Sequence, residues 1–121
     1  MLKVKIRKEF DYIPTYEQPF IGRVKVFLPA EEGYIEKPFR KRDVYLLDEE
    51  LCSCWGLYEE DKDGKWRFKI YVANRSSWEE VEKDLNEKIE ETLNTLRQVY
   101  REYMQNIESM PDKEERIYNI E

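Results

Sequence analysis

The feature that most constrains this chain is a long helical pattern in its last third. Ser76-Ser77-Trp78-Glu79-Glu80 holds two overlapping Ser-x-x-Glu capping boxes, Ser76 with Glu79 and Ser77 with Glu80. Behind them Trp78, Val81, Leu85 and Ile89 form an apolar stripe. Leu93, Leu96, Tyr100, Tyr103, Ile107 and Met110 continue it in alternating steps of three and four, the rhythm of a coiled-coil seam. Glu79–Lys83 and Asp84–Lys88 stand at the i,i+4 spacing that supports a helix, and Pro111 ends the pattern. The spacing predicts one helix from about Ser77 to Ser109, roughly 50 Å long at 1.5 Å per residue. Everything before it must supply cover for its apolar side.

That cover reads as strands. Leu2, Val4 and Ile6 alternate with Lys3, Lys5 and Arg7, and the alternation resumes at Phe10 and Tyr12. Pro14 and Pro19 bracket a turn, after which Arg23-Val24-Lys25-Val26-Phe27-Leu28 alternates until Pro29. Phe39 to Leu47 reads as a third strand of undetermined phase, because Val44-Tyr45-Leu46-Leu47 is apolar on both parities. Residues 51–73 read as a hairpin turning at Asp61-Lys62-Asp63-Gly64. A four-residue loop sets Leu57 opposite Phe68, and a two-residue loop slides the pairing by two without changing which side chains share a face. Trp55, Leu57, Phe68, Ile70 and Val72 then point one way, and Tyr58, Arg67, Lys69 and Tyr71 the other. The fold class is α+β: a curved antiparallel sheet of four or five strands packed on one long C-terminal helix. It forms a single domain over residues 1–121, with a charged tail from 111 that reads as frayed. Ile117, Tyr118 and Ile120 are the side chains by which the tail would dock.

Composition removes much chemistry. With no histidine among 121 residues, His-based triads, His-ligated metals and His acid–base catalysis are excluded. Four glycines form no phosphate-cradling loop. Cys52-Ser53-Cys54 lacks the further ligands of a zinc site and reads as two small half-buried hydrophobes. The carboxylates of Asp48-Glu49-Glu50 and of Glu59-Glu60-Asp61-Lys62-Asp63 lack the order of a calcium loop. No enzyme, cofactor or metal is expected. The chain also shows no apolar run long enough to span a bilayer and no signal-peptide pattern, so a soluble, cytoplasmic protein is expected.

Geometry suggests a partner. A nine-residue strand covers only about 30 Å, so one sheet should shield the stripe to about Leu93 and no further. A second copy of the helix is the simplest cover for Leu93, Leu96, Tyr100, Tyr103, Ile107 and Met110. The other reading is a break near Asn94-Thr95 that folds the second half back on its own sheet.

Charge is segregated within a net −6. Residues 1–47 carry ten basic and seven acidic side chains, and residues 65–75 carry four basic and none acidic. Residues 76–121 carry six basic and thirteen acidic. If Val4, Ile6, Val24, Val26, Phe68 and Ile70 face the helix, then Lys3, Lys5, Arg7, Arg23, Lys25, Arg67 and Lys69 face outward together. Phe27, Tyr58 and Tyr71 stand among them, and Arg40 and Arg42 are candidates to join. Bases interleaved with rings suit single-stranded DNA or RNA, with cations neutralising phosphates and rings stacking on unpaired bases. The rival reading is a non-enzymatic dimeric interaction or structural protein of viral or plasmid type. A chain 40% charged and free of histidine also has the look of a thermophile's protein, its ion pairs spread over the surface.

The segment Val72-Ala73-Asn74-Arg75-Ser76-Ser77-Trp78-Glu79-Glu80-Val81 runs from a strand through an Asn into a helix. A Trp stands in the helix's first turn and an aliphatic residue three positions on. With the order of elements, this resembles the Whirly and transcriptional-coactivator type of single-stranded-DNA-binding domain, and the ThermoDBP-like proteins. The resemblance covers roughly residues 1–110. It implies a homodimer built through the helices, with DNA held on the exposed bases and rings of the sheet.

Overall fold

A computed structural model describes residues 2–30, 47, 49–51, 55–61, 63–108 and 115–121, with 57, 58, 107 and 108 described by backbone alone. Four antiparallel strands, β1 (Lys5–Tyr12), β2 (Phe20–Pro29), β3 (Leu57–Glu60) and β4 (Trp66–Arg75), form one sheet in the order β1-β2-β4-β3. One helix, α1 (Trp78–Glu108), packs across it on β2 and β4.

The local signals act as their chemistry dictates. The backbone N–H of Glu80 donates to Ser77 Oγ at 3.3 Å, the serine half of the second capping box, while the Glu80 carboxylate accepts from the N–H of Ser76, one residue further back, at 3.2 Å. The helix then runs unbroken through Asn94-Thr95. At the β1–β2 turn the N–H of Ile13 donates to the carbonyl of Pro19. Gly64, with φ of 70°, turns the β3–β4 hairpin in the left-handed region that glycine takes without strain. Leu57 pairs with Ile70 and Glu60 with Arg67, the register of the shorter loop.

Three expectations are corrected. Leu47 and residues 49–51 are helical, so neither the third strand's end at Leu47 nor the hairpin's start at 51 stands; residues 39–46 lie outside the described residues. Trp55 precedes β3 and turns to the helix, its indole Nε1 donating to the buried Thr92 Oγ1 and its ring 6.0 Å from that of Tyr71. It therefore does not share a face with Phe68. The third correction concerns cover for the second half of α1. Leu96 is buried at 2% exposure in one cluster with Leu47, Leu51, Trp55, Val81 and Leu85. Leu2, Val4, Val99, Tyr100, Tyr103 and Met104 pack partly against that cluster. The reach of the sheet alone understated the cover, because residues before β1 and the helical Leu47 and Leu51 extend it.

The core lies between sheet and helix, with Val24, Val26, Leu28, Ala73, Val81 and Leu85 fully enclosed. Among the described residues no helix is long and apolar enough to cross a membrane.

Candidate nucleic-acid interface

The register decides which side chains share a wall. Gly22 pairs with Phe10 and Ala73, Val24 with Lys8 and Tyr71, and Val26 with Ile6 and Lys69. This wall meets the helix: a Cβ placed on Gly22 would collide with Val81 and Leu85. On the opposite wall, Phe27 pairs with Lys5 and Phe68, Lys25 with Arg7 and Ile70, and Arg23 with Glu9 and Val72.

The outward placement of Lys5, Arg7, Arg23, Lys25 and Phe27 therefore stands, and Lys3 just before β1 is exposed. Arg67, Lys69 and Tyr71 are on the helix wall instead, and Phe68, Ile70 and Val72 on the outer one. The reason is the β2–β4 register, which pairs even positions of one strand with odd positions of the other. Position 58 pairs with Lys69 and so takes the helix-side parity. Arg40 and Arg42 lie outside the described residues, as do Cys52, Ser53 and Cys54.

The helix wall consumes its charges internally. Lys8 Nζ donates to Asn86 Oδ1 at 2.6 Å and stands 3.6 Å from the Glu82 carboxylate. Tyr71 Oη donates to Asp84 at 3.0 Å, and the Arg75 guanidinium pairs with the same carboxylate. Burial, and then the bond to Asp84, push the Tyr71 phenol above its usual range. Lys69 is only 2% exposed, and Arg67 stands 3.8 Å from Glu60. Much of the contrast between a basic sheet and an acidic helix is thus an attraction between the two layers.

On the outer wall cations lie over rings. Lys5 Nζ is 4.3 Å from the Phe27 centroid and 5.0 Å from that of Trp66. Arg7 stands 4.9 Å from the Phe27 centroid and Lys25 5.4 Å from that of Phe68. The Phe27 and Phe68 rings are themselves 4.9 Å apart. Both are nearly enclosed, at 2% and 8% exposure. Lys25 also bonds Glu9 at 2.8 Å. This bond, with Arg7 and Arg23 nearby, holds the Glu9 carboxyl below its usual range. A hollow of about 460 Å³ opens beside the strip, with Arg7, Lys25, Phe27 and Phe68 on one side and Glu59, Glu60, Asp61 and Asp63 on the other.

Trp66 and Phe68 were missed as members of this wall. Their signal is the pairing of Phe27 with Phe68, which needs the register of β2 against β4 and not the hairpin alone. Of the residues read as a helix seam, Leu96 is buried, and Leu93, Tyr100 and Tyr103 are half-buried. The side chain of Ile107, and Met110, are outside the description. Among the described residues no group of three or more His, Cys, Asp or Glu side chains could hold a metal ion. Comparison with protein-family models, curated proteins and solved structures returns no match.

Proposed function

We propose that the outer wall of the sheet binds single-stranded nucleic acid, DNA or RNA, without strong sequence preference. The observation that carries this reading is the strip of Lys5, Arg7 and Lys25 over Phe27, Trp66 and Phe68. Lys5, Arg7 and Arg23 neutralise successive phosphates and release their counterions. As each cation leaves its ring for a phosphate, the ring face it covered becomes available to an unpaired base, a contact worth about 1–3 kcal/mol per base. The acidic hairpin bounds the site on one side and directs the strand along β1 and β2.

The test is a titration of labelled oligothymidine at two salt concentrations. Binding should weaken steeply with salt, and Lys5→Glu/Arg7→Glu should reduce affinity at least tenfold with the circular dichroism unchanged. Undiminished binding by that variant removes the site. The two-signed hollow favours a second reading, a non-enzymatic protein-interaction surface for a segment carrying both charges. That reading is left standing if oligonucleotide fails to bind at low salt.

A further inference from the structure

A second hollow, of about 380 Å³, opens between the start of β1 and the middle of α1, lined by Leu2, Val4, Leu93, Leu96, Arg97 and Tyr100. Among the described residues it shares no lining with the charged hollow of the outer wall. Among the described residues its lining is apolar but for the Tyr100 hydroxyl and Arg97, whose guanidinium donates to the neutral amide oxygen of Asn94 at 3.0 Å. Arg101, one helical turn on, is exposed. The hollow thus offers greasy walls and a positive rim.

The chain carries the complement of that chemistry. Residues 115–121 have no regular secondary structure. Ile117, Tyr118 and Ile120 are 94%, 75% and 94% exposed, more than any other large apolar side chain described. Tyr118 and Ile120, two positions apart, fall on one side of an extended segment, and the exposed Glu121 follows them. Apolar side chains beside a carboxylate match apolar walls beside a guanidinium. The eight residues between α1 and Ile117 could span about 27 Å when extended, enough to turn back along the helix. In the single chain Ile117, Tyr118 and Ile120 stand exposed, and the described lining of the hollow does not include them.

We propose that the tail of one copy seats Tyr118 and Ile120 in this hollow of a second copy, with Ile117 at the rim and Glu121 toward Arg97. The second copy's tail reciprocates. Reciprocal exchange closes the contact at two chains by two-fold symmetry, so the product is a dimer and not an open polymer.

The test is sedimentation equilibrium of the full chain over a micromolar series, with two variants. Tyr118→Asp/Ile120→Asp alters side chains that are solvent-exposed in the single chain, and Arg97→Glu alters an exposed helical position. Both should keep the wild-type circular dichroism. Wild type should be dimeric, each variant should dimerise at least tenfold more weakly, and an equimolar mixture of the two should recover dimer. The mixture retains one intact tail against one intact hollow. A monomeric wild type overturns the proposal. So does a tail variant that dimerises as wild type does, which would place the contact along the helix seam, or a mixture that recovers nothing. Because neither variant touches Lys5, Arg7 or Phe27, failure here leaves the nucleic-acid reading to its own titration.

Discussion

Gly22 is where a single missing Cβ shapes the molecule. It faces Ala73 across the β2–β4 pair, and the helix presses Val81 and Leu85 into the space both leave. Gly22→Ala should lower stability by about 1–3 kcal/mol, the usual cost of overpacking a filled core, read as a lower midpoint in urea. A glycine in a strand signals close approach, but nothing within Phe20–Pro29 says what approaches. Glu9 is a different case, because its effect depends on pH. Its carboxyl is held below its ordinary value of 4.5, first by the bond to Lys25 and then by the charges of Lys25, Arg7 and Arg23. A depressed carboxyl contributes stability above its unfolded pKa, and that contribution is lost as pH falls through the folded one. The urea midpoint of the wild type should therefore drop more steeply below about pH 4.5 than that of Glu9→Gln. Parallel curves would show that the pair is screened by solvent.

At the scale of elements, α1 and β4 behave differently toward sequence reading. The start of the helix was legible to within a residue, Ser77 against Trp78, because caps, i,i+4 pairs and the apolar stripe are all local. Ser77→Ala removes the acceptor for the Glu80 N–H and should cost about 0.5–2 kcal/mol, measured by thermal unfolding. Strand β4 reads as alternating, and it is. Alternation separates Trp66, Phe68, Ile70 and Val72 from Arg67, Lys69, Tyr71 and Ala73 without saying which set meets the helix. The helix takes the second set because Ala73 is small enough to admit it, and because Tyr71 and Arg75 reach Asp84. The first set joins Phe27 on the other wall. Lys69 shows the consequence: a lysine expected at the surface is almost wholly enclosed.

Taken whole, the molecule has two charged layers, and its net −6 says little about either wall. The acidic helix neutralises Lys8 and Arg75 from the inner side, leaving Lys5, Arg7 and Arg23 to act outward. If binding depends on that local field, within about 10 Å at moderate salt, position should matter more than total charge. Lys83→Glu on the exposed flank of α1 changes the net charge as much as Lys5→Glu does. It should leave oligothymidine affinity within about twofold, whereas Lys5→Glu should weaken it several-fold and flatten the salt dependence. Equal losses from both substitutions would mean that the outer wall is not the seat of binding.

The residues in their order were sufficient to set the α+β class, the start and long run of α1 and the turn at Gly64, and to limit the hairpin to two registers. Each of these rests on hydrogen bonds, caps and periodicities that span a few neighbouring positions. The placement of Arg67, Lys69 and Phe68, the turning of Trp55 toward Thr92 and the enclosure of Leu96 came only with tertiary packing. A two-fold alternating strand is symmetric between its faces. Only the shape and charge of what docks against it, here the helix fitting over Gly22 and Ala73, breaks that symmetry.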